Sequence, residues 1–229
     1  MNTAPNNADL FDLIAPRYDA ANRLMSLGRD MRWRRTLASH LYPGNPEGAL
    51  LDVACGTGDQ LLALIQCGCQ YKTMTGLDAS KSMLEQARKK PLLMRYAIQW
   101  SRGSAEALPL PDASMDVVTL SFGLRNMADR AAVLRELRRV LKPSGRLAIL
   151  EFSMPDHGIL RILLGLYLAT FLPWAGGVLT GRFQPYRYLA RSIRAFPGPD
   201  VILQELTDAG FLQARVIPVD LGAIYLYLA

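Results

Sequence analysis

Leu51-Asp52-Val53-Ala54-Cys55-Gly56-Thr57-Gly58-Asp59 is the run from which the rest of the chain can be placed. An apolar segment, Ala49 to Val53, leads into it. A helical pattern leaves it at Asp59, with Leu61, Leu62, Leu64 and Ile65 on one side. The order is strand, glycine turn, helix. Glycine adopts positive φ freely and lets a ligand approach the backbone. The first turn of the following helix offers unbonded N–H groups and the positive end of a dipole.

Two common nucleotide motifs do not fit. A dinucleotide fingerprint needs glycine or alanine where this chain has Leu61, and the G-K-[ST] ending of a phosphate loop is missing. The pattern Asp52-x-Ala54-x-Gly56-x-Gly58 instead resembles motif I of the S-adenosylmethionine (SAM) methyltransferases. Their ligand carries an ammonium, a carboxylate and a sulfonium in place of a pyrophosphate. Asp52 and Asp59 supply negative charge where its cationic groups would lie.

Working outward, the elements alternate. Strands are expected at Ala49–Val53, Lys72–Leu77, Ile98–Arg102, Met115–Ser121 and Arg146–Phe152. Helices are expected at Asp59–Gln66, at Ser80–Lys89 with Ser80 as cap, and at Asp129–Leu141, which stops at the turn Lys142-Pro-Ser-Gly145. Repeated β-α-β units imply a parallel sheet covered on both faces, with ligands at the carboxyl ends of its strands. Three loops fall at such ends. Asp78 follows the second strand, about 20 residues past the glycines, where a carboxylate can accept both ribose hydroxyls. Ser104 and Ala105 lie in the loop after the third strand. Ser121-Phe-Gly-Leu-Arg125-Asn126 follows the fourth, and an arginine at a strand end inside a cleft is unusual for packing alone. A salt bridge from Arg125 to Asp116 or Glu151 is the simpler alternative. Upstream, Phe11–Tyr18 has helical spacing interrupted by Pro16, Asn22–Leu41 reads as one helix, and Pro43–Gly48 as a linker turn.

The chain has 229 residues and a net charge of +6, and half of its residues are hydrophobic, which suits one domain with additions. The modest basic excess fits an anionic partner such as a membrane surface or nucleic acid. Arg23, Arg29, Arg32, Arg34 and Arg35 crowd one stretch, which reads as a solvated helix face, a membrane surface or a dimer face. Cys55, Cys67 and Cys69 with two histidines argue against a disulfide framework or a metal site, and no metal is expected. The polar start, Met1 to Asp9, lacks the regions of a signal peptide, so a cytoplasmic location is expected.

Across nearly its whole length the sequence resembles the SAM-dependent C-methyltransferases of ubiquinone and menaquinone biosynthesis. The most specific segments are Phe11-Asp-Leu-Ile-Ala-Pro-Arg-Tyr-Asp19 and Ser121-Phe-Gly-Leu-Arg-Asn126. Trp33-Arg34, Ala105-Glu-Ala-Leu-Pro109, Val140-Leu-Lys-Pro-Ser-Gly-Arg146, Glu151-Phe-Ser153 and Asp208-Ala-Gly-Phe211 extend it. Cys55 and Ser104 depart from the glycine and asparagine common at those places, and residues 153–185 match least.

The resemblance implies an α/β class I methyltransferase fold, Rossmann-like. Its seven-stranded, mostly parallel sheet has an antiparallel last strand, and the tail (Phe211–Pro218 and Ala223–Leu228) would supply two such strands. The single domain, 1–229, would divide into an N-terminal helical cap (8–42), a SAM-binding core (49–152), an apolar lid and substrate region (155–198) and a C-terminal helix with strands (199–229). Cofactor contacts are implied at Asp52, Gly56, Thr57, Gly58, Asp78, Ser104, Ala105 and Ser121. Tyr18 would close over the cofactor, and Arg125 and Asn126 would face a quinol ring. The methyl acceptor would be a reduced prenylated quinol. A naphthoquinol is preferred to a benzoquinol because the chain is compact.

Ile162–Gly181 contains no charged residue. Pro173 and Gly176-Gly177 argue against a continuous membrane-spanning helix. A lid helix is expected, lining a channel for a polyprenyl tail or dipping into the inner face of the membrane. No histidine lies near the motifs unless His157 reaches in, so Arg125 is expected to stabilise a phenolate or orient a water, with Asn126 as partner. Phospholipid N-methylation and a non-catalytic SAM- or lipid-binding module are the alternatives. Nucleic acid is not an expected partner, since no aromatic-rich basic tract is present; a second copy of the chain is a candidate one.

Overall fold

The computed structural model describes residues 7–155 and 158–229. Helices α1 (Asn7–Ile14), α2 (Tyr18–Met25) and α3 (Arg29–Leu41) form the N-terminal cap. Alternation then runs through β1 (Gly44–Val53), α4 (Asp59–Gln66), β2 (Gln70–Asp78), α5 (Lys81–Arg88), β3 (Ile98–Arg102), β4 (Met115–Ser121), α6 (Arg130–Val140) and β5 (Leu141–Phe152). The apolar region holds α7 (Ile159–Ala169), α8 (Phe171–Thr180) and α9 (Gln184–Ala195). The chain closes with α10 (Pro199–Asp208), β6 (Arg215–Asp220) and β7 (Ile224–Leu228).

The seven strands lie in the order β3-β2-β1-β4-β5-β7-β6. The first five are mutually parallel, and β7 runs antiparallel to both β5 and β6. Strand β6 therefore points with the parallel set, so the tail supplies one antiparallel strand rather than the two expected. The chain moves outward from β1 through β2 to β3, then returns to β4 on the other side of β1. That reversal opens a crevice at the carboxyl ends of β1 and β4.

Side chains alternate across the sheet and divide the core in two. Leu51, Val53, Val118, Leu120, Leu147 and Ile149 face α6 and α10. Leu50, Met74, Val117, Ala148 and Leu150 face α3 and α4. This burial on both faces is what the continuous apolar strands required.

Four segments differ from the sequence reading. Residues 22–41 are not one helix, because Leu27 and Gly28 take positive φ (53° and 76°). Ser26 and Asp30 bond reciprocally across the break, Oγ to Oδ1 at 2.9 Å and N–H to Oγ at 3.2 Å. The expected turns at 43–48 and 142–145 are irregular starts of β1 and β5. In each the register slips, between Asn45 and Ala49 and between Met115 and Val117. Residues 46–48 and 142–145 have no partner in these registers, so the turn-forming residues fall within the bulges themselves. The apolar stretch breaks at Thr170 into α7 and α8. Residues 159–180 are long and apolar enough to cross a membrane by length and composition, but the two helices of 11 and 10 residues are each too short to span one. Gly176 and Gly177 are needed for packing: a Cβ there would come within 2.4 Å of the Tyr186 ring and 2.2 Å of the Phe183 ring.

Candidate functional site

Two cavities meet at the crevice. The first, about 290 Å³, lies over the carboxyl ends of β1, β2 and β4. The second, about 650 Å³ and lined mainly by apolar side chains, lies beneath the cap and α7–α9. Phe11, Tyr18, Arg34, Phe122 and Asn126 line both and form the seam between them.

The first cavity is built from strand ends. Ala54 and Phe122, directly after β1 and β4, sit at φ 52° and 60°. Such conformations cost energy for residues other than glycine and concentrate at functional sites. They turn the chain sharply so that backbone faces the cavity. Gly56, at φ 54°, has nothing within 4 Å of where a Cβ would stand. A side chain there would occupy the space that the cleft offers to a ligand. Gly58 has a different role and does not line the cavity: a Cβ there would meet Leu93 at 2.7 Å and Trp100 at 3.1 Å, so it serves close packing.

The carboxylates divide their work. Asp78 accepts from the N–H of Gly56 at 2.7 Å and of Ser80 at 2.8 Å, one bond on each oxygen. Burial raises its pKa, although those two bonds oppose the rise. Asp52 is 1% exposed. Its Oδ1 accepts from Thr119 Oγ1 at 2.7 Å, while its Oδ2 has no partner among the described residues. Burial pushes its pKa up to about 7, against the pull of the Thr119 bond and Arg34. Asp59 differs from its sequence reading. It is already engaged by Lys90 and by Arg23 Nη2, the latter at 2.9 Å, so its charge is neutralised from within. Burial alone would raise its pKa, but Arg34, Lys90 and Arg23 together hold it low.

Thr57 donates to Asp19 at 2.6 Å and accepts from Lys90 at 3.1 Å, which ties the glycine turn to the cap. Ser121 donates to Gln60 Oε1 at 2.9 Å. Ser104 and Ala105 border the far end. Every expected cofactor residue except Gly58 therefore borders one cavity.

Arg125 shows the alternative that the sequence left open. Its side chain is 5% exposed and pairs with fully buried Glu151 at 2.7 Å. Its Nη1 takes the contacts, its Nε is unpartnered, and its guanidinium lies 5.2 Å from the Phe152 ring centre. It lines the apolar cavity, whereas Asn126 lies on the seam and its Oδ1 accepts from Tyr188 Oη at 3.2 Å. Tyr18 also stands on the seam, edge-on to Phe11 at 6.2 Å between ring centres. His157 lies outside the described residues. Among the described residues no group of three or more His, Cys, Asp or Glu could hold a metal ion.

The arginine-rich stretch is not one solvated face. Arg23 pairs with Asp30 and Asp59, Arg29 with Asp220 at 2.6 Å, and Arg34 is buried. Arg29, Arg32 and Arg35 are exposed, and Arg35 donates to Gln66 Oε1 at 3.3 Å. Arg34 was the functional candidate hardest to see, because it is one of five similar residues. Its only local signal is Trp33 beside it on the buried side of α3.

The unpartnered Asp52 oxygen implies a signed pH dependence. A cationic ligand group there needs the carboxylate ionised. Cofactor affinity should rise roughly tenfold per pH unit below about 7 and level off above it. Calorimetric titration of SAM between pH 5.5 and 8.5 measures this; a flat profile would show that no cation meets Asp52.

Comparison with known proteins bears on the same site. The model of the ubiE/COQ5 methyltransferase family matches residues 3–229. A demethylmenaquinone methyltransferase of Thermus thermophilus is 41% identical over 202 residues, covering 88% of this chain and 91% of that protein. A ubiquinone/menaquinone biosynthesis C-methyltransferase of Geotalea daltonii is 38% identical over 221 residues, covering 96% and 93%. Among solved structures, a SAM-dependent methyltransferase of Thermotoga maritima aligns with a TM-score of 0.65 at 18% identity, covering 96% of this chain and 98% of that one. This last likeness speaks to the fold.

Proposed function

The chain belongs to the ubiE/COQ5 methyltransferase family, and from that premise we propose that it methylates a ring carbon of a reduced prenylated quinol, a demethylmenaquinol in the first instance. The enzyme is a SAM-dependent methyltransferase. The observation that carries the substrate reading is the meeting of a polar cleft and a larger apolar cavity at one seam. A polar cofactor and a prenylated ring each need one of these environments, and the transfer needs them in contact.

SAM supplies a methyl group already activated on a sulfonium. The residues present fit it: Asp52 holds a free acceptor for an ammonium, Gly56 leaves open space, and Asp78 can accept ribose hydroxyls. Thr57, Ser104, Ala105 and Ser121 complete the wall. The acceptor ring reacts once a hydroxyl has lost its proton, because the charge then spreads onto the ring carbon. A guanidinium offers donors and no acceptor, so the part of Arg125 is electrostatic stabilisation of that oxyanion and not proton removal. Its Nη1 is committed to Glu151, and the residue borders the apolar cavity. Asn126 and Tyr18, on the seam, orient the ring against the cofactor.

The prenyl tail would run under α7 and α8, where Leu163, Tyr167, Leu168 and Leu172 line the cavity. On their outer side Ile162, Leu166, Trp174 and Val178 are each at least 60% exposed. Exposed Arg187, Arg191 and Arg194 stand on the adjoining α9. This apolar surface rimmed by cations supports contact with the inner, anionic face of the cytoplasmic membrane, where the substrate would reside.

Incubation with labelled SAM and reduced naphthoquinol, reduced benzoquinol or phosphatidylethanolamine tests the reading. Label is expected in the demethylnaphthoquinol. Label in the benzoquinol alone would reassign the substrate, and label in phosphatidylethanolamine alone would overturn ring methylation. The curated relatives do not favour the phospholipid alternative.

A further inference from the structure

Arg34 is a cation buried without a partner. It is 7% exposed, yet its guanidinium makes no hydrogen bond or ion pair among the described residues. Its Nε is fully enclosed, and its Cζ lies 5.0 Å from the centre of the Phe122 ring. The Arg34 carbonyl accepts from Gln60 Nε2 at 3.3 Å, and Gln60 also accepts from Ser121. The base of the side chain is thus held by the floor of the cleft. A buried, unpaired guanidinium is rare because its desolvation is uncompensated. Something outside the protein must complete it.

The neighbouring group has the opposite deficit. Asp52 Oδ2 is a buried acceptor without a donor in the same cavity. Arg34 acts on Asp52 and Asp59 through its field, but bonds to neither. An unfilled acceptor and an unfilled donor fork in one cleft are the complement of an α-amino acid zwitterion. Its ammonium meets Asp52 and its carboxylate meets Arg34. A guanidinium matches a carboxylate with two parallel hydrogen bonds.

We propose that Arg34 is the residue that binds the carboxylate of the cofactor's methionine end, forming with Asp52 a two-point clamp. This rests on the reading of the cleft as the SAM site. Because Arg34 stands on the seam, the clamp also fixes the cofactor relative to the apolar cavity. The clamp discriminates against ligands lacking either charge.

The test compares SAM with decarboxylated SAM, which keeps the sulfonium and amine but lacks the carboxylate. Calorimetry on the wild-type protein should give about 100-fold tighter binding of SAM. Arg34→Gln should lose that factor for SAM and leave decarboxylated SAM within about threefold of the wild-type value. Arg34→Lys keeps the charge but not the fork, and should fall between. Equal wild-type affinities for the two ligands would overturn the proposal without any variant. So would a variant that retains SAM affinity but loses turnover, which would assign Arg34 to the acceptor's oxyanion. Equal losses for both ligands in Arg34→Lys would also overturn it. A wild-type protein that binds neither ligand would instead refute the SAM reading itself.

Discussion

Replacing Glu151 with alanine should lower stability by about 3–5 kcal/mol, because it leaves the Arg125 guanidinium buried with no counter-charge. Glu151 is wholly buried on β5. Its oxygens accept from Arg125 Nη1 at 2.7 Å, from the Arg125 N–H at 3.2 Å and from the Phe152 N–H at 2.9 Å. All three donors belong to the loop after β4 and the end of β5. One carboxylate therefore holds both strand ends at the cleft. For a chain of this size the loss corresponds to a fall in Tm of about 6–20 °C. Arg125→Met should cost less, since Glu151 keeps its two backbone donors. The double variant should be more stable than Glu151→Ala alone, because the stranded charge is gone. Thermal unfolding of the three variants measures this. Additive losses would mean that the pair is not coupled.

The cycle also separates the two roles of Arg125. If its work is only to pair with Glu151, turnover per folded molecule should survive Arg125→Met. If it stabilises the oxyanion as proposed, kcat should fall while SAM affinity stays unchanged.

Asp52→Asn should weaken SAM binding by about 30–100-fold and yet stabilise the ligand-free protein above neutral pH. In the native state the carboxyl titrates near 7, compared with 3.8 when unfolded. Between those values the native protein binds more protons than the unfolded chain. Stability from this group is therefore progressively lost as pH rises from about 4 to 7, on the order of 4 kcal/mol in all, and stays low above 7. Asparagine cannot ionise, and its oxygen can still accept from Thr119. The variant should gain roughly 1–3 kcal/mol at pH 8, a gain that shrinks toward pH 4. Urea unfolding at both pH values, beside SAM titration, measures both halves. A variant destabilised at pH 8 would show that the carboxylate is satisfied in some way that its geometry does not reveal. An ionised Asp52 with no donor on Oδ2 among the described residues thus destabilises the fold, a cost that an ammonium bound there would relieve.

What could be read from residues alone was local or periodic. Leu51–Asp59 announced a strand, a turn and a helix because glycine spacing and apolar period act within a few residues. Ser80 and Asp129 cap their helices as expected, accepting from Met83 N–H at 3.1 Å and Ala132 N–H at 2.9 Å. A cap is decided by a side chain and backbone three residues apart. Where expectations failed, a distant partner had intervened. Residues 43–48 and 142–145, with turn composition, form the irregular starts of β1 and β5, where the register with the neighbouring strand slips. The charge-free stretch divides at Thr170 and turns α8 against α9, where Gly176 and Gly177 admit the rings of Tyr186 and Phe183.

The alternating pattern and the motif-bearing loops determined, by themselves, a mostly parallel α/β sheet with a cleft at its strand ends. Side-chain period and glycine placement depend on near neighbours, and those are written in order along the chain. Only the tertiary structure decided which charges are free. Arg23, Arg29 and Arg34 look alike in sequence. Two of them meet acids from 7 to 191 residues away, and the third pairs with none among the described residues. Asp52 and Asp59 are equally acidic, but Lys90 and Arg23 reach only the second. The energy of a buried charge depends on its three-dimensional neighbours and on the water it has lost, and neither is a property of sequence spacing.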